Sequence, residues 1–155
     1  MKMKTWQKNV LSAVVIVAGG FLLWNIAFLM AYGVMILGNT ILTSISGTDT
    51  AVNEMIWKYI FVVLILLISL AVFLPKKIPA LIKATYLTMP LMVVLIVGGI
   101  RFFEYTKWVP ITIGAAIIAG VVLFAYMKKL SWLYYFATAY TGIVALIIVL
   151  FDIQI

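Results

Sequence analysis

Residues 9–48 read NVLSAVVIVAGGFLLWNIAFLMAYGVMILGNTILTSISGT, with no charged residue between Lys8 and Asp49. The apolar part, 10–37, would reach about 42 Å as an α-helix, against a bilayer hydrocarbon core of ~30 Å. A run this long and this apolar has to be covered by something other than water. A helix longer than the core it crosses tilts, kinks or projects on one side, and a re-entrant hairpin at Gly19-Gly20 is the alternative. Lys2, Lys4 and Lys8 resemble the basic start of a signal peptide, but the run exceeds the ~7–15 apolar residues of such signals. It therefore reads as a retained transmembrane helix.

The rest of the chain repeats the theme. Of its 155 residues, 67% are hydrophobic and 10% charged, and the mean hydropathy is +1.28. A soluble domain has about half its residues apolar and about a quarter charged. Charges and prolines divide the remainder into four further apolar segments, about 56–74, 78–100, 108–127 and 130–151. The expected fold is an all-α integral membrane protein: a bundle of five transmembrane helices forming a single polytopic domain over 1–155. Residues 39–53, polar and rich in small side chains, read as the one sizeable loop. Pro79 and Pro110 suit first helical turns, whereas Pro90 falls inside the third segment and should kink it.

The charges orient the bundle. With five spans, Lys2, Lys4, Lys8, Lys76, Lys77, Lys83, Lys128 and Lys129 share one side with no acid. Lys58, Arg101 and Lys107 share the other with Asp49, Glu54, Glu104 and Asp152. Positively charged connections stay in the cytoplasm, so the N-terminus is expected there and the C-terminus on the extracytoplasmic side. An even number of spans would scramble this separation. The localisation that follows is a multi-pass cell-membrane protein.

The inventory excludes much chemistry. There is no cysteine and no histidine, and only four acids. Thiolate nucleophiles, disulfides and the commonest metal ligands are absent, so no metal, no cofactor and no enzyme activity are expected. The net charge of +7 is spread between apolar runs instead of forming a patch, which argues against nucleic acid.

Polar residues within the segments are the candidate sites. Ala18, Asn25, Tyr32 and Asn39 recur every seven residues on one stripe of the first helix, and Tyr134, Thr138, Thr141 and Ala145 mark the fifth. An amide at mid-bilayer depth turns to a partner, so Trp24-Asn25 is expected to face protein. Such stripes either join helices by hydrogen bonds or line a path. The candidate path consists of Asn25, Tyr32, Thr85, Thr88, Thr138 and Thr141. Thr138/Gly142, Ala115/Ala119 and Ala116/Gly120 are small-xxx-small pairs suited to close helix packing. Glu54, Arg101, Glu104 and Lys107 gather at the outer mouth, where they read as solvated pairs or as a site of ion attraction. Tryptophans and tyrosines collect at the segment ends, as membrane-interface belts do.

Function is then expected to be non-catalytic: an accessory or assembly subunit packing against a larger membrane complex or against itself. The alternative is a small homo-oligomeric transporter or channel along the candidate path. The expected partners are the lipid bilayer and a protein partner or second copy through membrane helices. If the charge reading holds, a cysteine introduced as Gly47→Cys is labelled by an impermeant reagent added outside intact cells, and one introduced as Lys77→Cys is not. The reverse labelling pattern would invert the topology.

Overall fold

The computed structural model describes residues 4–46, 52–102 and 108–150. These form five α-helices: α1 (Thr5–Ser46), α2 (Val52–Phe73), α3 (Ala80–Phe102), α4 (Trp108–Met127) and α5 (Trp132–Leu150). Among the described residues there is no strand. Two of the helices, over Thr5–Ile41 and Trp108–Met127, are long and apolar enough to cross a membrane.

The largest departure from the sequence reading is the length of α1. Its 42 residues correspond to about 63 Å, and the helix continues through much of the stretch expected to be a loop. The reason is local. Thr40, Thr43 and Ser44 donate their hydroxyls to the carbonyls of Ile36, Asn39 and Thr40 at 2.9, 2.7 and 2.7 Å. These hydroxyls could equally have stabilised turns; bonded one turn back, they satisfy themselves and leave the helix intact. α2 correspondingly begins at Val52, ahead of the expected 56.

Two turns at the lysine-rich end fix the order of α2 to α5. In the first, Pro79 precedes α3 and its carbonyl accepts the Lys83 N–H at 3.2 Å. The Lys83 ammonium reaches back and donates to the Phe73 carbonyl at 2.9 Å. A cation on the last carbonyls of α2 complements the negative end of the helix dipole. In the second turn, Leu130 N donates to Ala125 O at 2.9 Å and Lys129 N to Tyr126 O at 3.0 Å. Lys129 has φ 48°. This is the Schellman arrangement, with a lysine where glycine is usual and with Leu130 and Ala125 packed in the same apolar cluster. Pro90 lies inside α3, which runs on past it; its missing N–H leaves the Tyr86 carbonyl without its helical donor.

α3 is the hub, since it alone packs against each of the other four helices. α2, α1, α5 and α4 follow one another around it, and among the described residues α2 touches neither α4 nor α5. The bundle is therefore a crescent around α3. At the lysine end the core consists of Ile16, Ala84, Ala125, Tyr134 and Ala137, with Phe73 packed against it. Further along, Ala27, Phe61, Ile65, Met89 and Val93 join α1, α2 and α3. The surface amounts to 10635 Å², whereas a water-soluble monomer of this mass would expose about 7,800 Å². Much of the excess is apolar, with Leu22, Leu29, Leu67, Leu123 and Phe124 among the exposed side chains.

Lys129 in a left-handed conformation is strained by about 1–2 kcal/mol relative to glycine. Lys129→Gly is expected to stabilise the protein by about 1 kcal/mol, raising the thermal midpoint in detergent. Lys129→Val is expected to lower it.

Candidate functional site

Two polar rows run along the bundle, and the structure puts them on opposite sides of α1. At 3.6 residues per turn, Ile16, Gly20, Ala27 and Gly38 fall on one line, and all four are buried. Ala18, Asn25, Tyr32 and Asn39 fall on the line opposite, and all four are exposed. The seven-residue row read from the sequence is real, but it points away from the other helices. Asn25, expected to face protein, uses one amide hydrogen to bond the Phe21 carbonyl of its own helix at 2.8 Å. Its neighbour Trp24 is half-buried between Phe21 and Phe28, with ring centroids at 6.5 and 5.7 Å.

The other four candidates lie on α3 and α5, which pack against each other. Thr88, Thr138 and Thr141 are buried and Thr85 is half-buried. Each hydroxyl donates to its own helix: Thr85 to Leu81 at 2.9 Å, Thr88 to Thr85 at 2.7 Å, Thr138 to Tyr134 at 2.8 Å and Thr141 to Ala137 at 2.9 Å. Ser69 on α2 does the same with Ile65 at 2.7 Å. Their protons are thus committed, and only acceptor lone pairs remain. Asn25 and Tyr32 do not meet this row. A recess of about 120 Å³ lies between α3, α4 and α5, but its walls include Leu95, Pro110, Ile118 and Leu146 and none of the six candidates.

The side chains of Glu54, Arg101, Glu104 and Lys107 lie outside the described residues. Among the described residues no three metal-ligating side chains gather.

Close helix approach falls mainly at glycines of α1 that lie outside the small-xxx-small pairs. A Cβ on Gly19 would stand 2.7 Å from Thr85 Cγ2, and one on Gly20 would stand 2.9 Å from Thr88 Oγ1. Gly38 lies directly beneath the Trp57 indole, and a Cβ on Gly142 would come within 2.7 Å of Ile118 Cδ1. Gly19-Gly20 is therefore a crossing point of two helices, not the bend of a hairpin. Its signal was the line Gly20, Ala27, Gly38, small residues on one face. The α4 pairs behave differently: Ala115, Ala116, Ala119 and Gly120 are exposed. Among the described residues, three buried donors lack a partner, namely Trp24 Nε1, Trp57 Nε1 and the Tyr86 hydroxyl.

Compared with protein-family models, curated proteins and solved structures, the chain matches none. The functional argument therefore rests on geometry. The inner hydroxyls are closed on their own helices, the glycines are where helices approach most closely, and the Asn25 amide keeps one donor and one acceptor beyond its bond to Phe21. Gly20→Ala is expected to cost about 1–3 kcal/mol through overpacking against Thr88, read from thermal unfolding in detergent. In a Thr88→Ala background at least half of that loss should be recovered; strictly additive losses would show that the two sites are uncoupled.

Proposed function

We propose that the chain is a multi-pass cell-membrane protein whose five helices all cross the bilayer, with a cytoplasmic N-terminus. We propose further that it serves as a non-catalytic accessory or assembly subunit, holding a larger complex or copies of itself through its membrane helices. Several features support the membrane part. A core helix of a soluble protein is mostly buried, yet the apolar windows of α1 and α4 are only 17% and 11% buried. Exposed aromatics ring both ends: Trp6, Tyr126 and Trp132 at one, Tyr59 and Trp108 at the other. Rings with one wet edge and one apolar face suit headgroup depth. Lys4, Lys8, Lys76, Lys77, Lys83, Lys128 and Lys129 all belong to the end where α1 starts and the α2–α3 and α4–α5 turns lie, as cytoplasmic retention favours.

One observation carries the subunit part. The buried threonine hydroxyls donate to their own helices, so they present no row of free donors to a solute, while Asn25 and Tyr32 face outward on α1. Polar groups turned outward at membrane depth are the means by which helices bind other helices. Native mass spectrometry of protein extracted gently from its own membrane tests this. The expected result is a stoichiometric assembly heavier than one chain. A lone chain that passes solute in liposomes, with flux abolished by the near-isosteric Thr138→Val, would overturn it in favour of transport.

A further inference from the structure

The outward face of α1 carries more than one polar row. Beside Ala18, Asn25 and Tyr32 runs a parallel row of Leu22, Leu29 and Ile36, each also seven residues from the next and each exposed. Alternating steps of four and three residues between the rows make the seam of a left-handed coiled coil. The pattern continues one heptad further each way, to Leu11 and to Thr43, a length of about 48 Å. Among the described residues, no helix of the same chain covers it.

From this seam we propose that α1 is a self-association helix, pairing in parallel with α1 of a second copy across a two-fold axis, with Asn25 against the second copy's Asn25 at its centre. The inference rests on the membrane reading above and specifies its partner. Two copies inserted in the same orientation can be related only by an axis along the membrane normal, so their first helices run parallel. In a parallel two-fold pair each seam position faces itself. Such a seam excludes charges, which would repel their own copies, and accepts polar groups that both donate and accept. The chain has no charge between Lys8 and Asp49, and the polar seam residues Asn25, Tyr32, Asn39 and Thr43 are all of the self-complementary kind.

Asn25 fits this arrangement atom by atom. One amide hydrogen is held by the Phe21 carbonyl. The other hydrogen and the Oδ1 remain, one donor and one acceptor, and the second copy offers the same two. Two reciprocal hydrogen bonds across the axis then satisfy both amides, which in hydrocarbon would otherwise remain unpaired at a cost. Leu22, Leu29 and Ile36 flank the pair as apolar knobs, and Ala18 lets the backbones approach.

The chain lacks cysteine, so single-cysteine variants test the seam in native membranes under a membrane-permeant oxidant. Disulfide-linked dimers of this chain are expected for Leu22→Cys, Leu29→Cys and Ile36→Cys. None are expected for Val17→Cys or Leu37→Cys, which are exposed but lie off the seam. Asn25→Leu should weaken dimerisation in lipid about three- to thirty-fold, as loss of a membrane hydrogen bond does, with helix content unchanged. Equal linking at all five positions, no linking at any, or an unaltered dimer in Asn25→Leu would overturn the proposal. So would linking at the seam solely to a different polypeptide, although that result leaves the accessory-subunit reading standing. A lone, solute-conducting chain would remove the reading itself.

Discussion

Everything in the bundle hangs on how closely α1 can approach α3. Gly19 and Gly20 bring the α1 backbone against Thr85 and Thr88 with no room for a methyl group. That crossing sets the rotation of α1 and thereby decides which of its faces is buried. It also sets the level at which Ala27 meets Met89 and Val93, and from there the alignment of α2 along both helices. Packing density and close backbone approach are both sources of affinity between helices. Glycine supplies both, by removing the atoms that would hold the helices apart.

The number and order of the helices were legible because charges and prolines punctuate the apolar runs. Pro75 to Pro79 and Lys128-Lys129 mark turns on composition alone, and the structure places turns there. The length of α1 was not legible. Thr40, Thr43 and Ser44 are as competent in a turn as in a helix, and only the carbonyl each one chooses decides between them. Residues 39–46 therefore look like a loop by composition and are helix by hydrogen bonding.

The candidate site was half legible. A seven-residue row on α1 could be read directly, but periodicity gives a line on a cylinder without saying which way the cylinder is turned. Asn25 is polar and Gly20 is small, and each is a good reason to face a neighbour. The small residues won within the chain, and the polar row faces away from the other helices. The threonines of α3 and α5 read as candidates to line a path, and nothing in the sequence distinguishes a hydroxyl open to a path from one bonded to its own helix.

The crescent around α3 has a consequence for the order in which the molecule comes apart. Among the described residues, α2 touches only α1 and α3 and its buried side chains are Phe61, Ile65 and Ser69, whereas α5 is held by α1, α3 and α4 together. Cooperative opening units follow such differences in contact. α2 is thus the element whose amide protons should exchange with solvent first, while α1, α3, α4 and α5 persist as a four-helix remnant. The Lys83 ammonium on the Phe73 carbonyl then adds one hydrogen bond to the short covalent turn that joins the C-terminal end of α2 to α3.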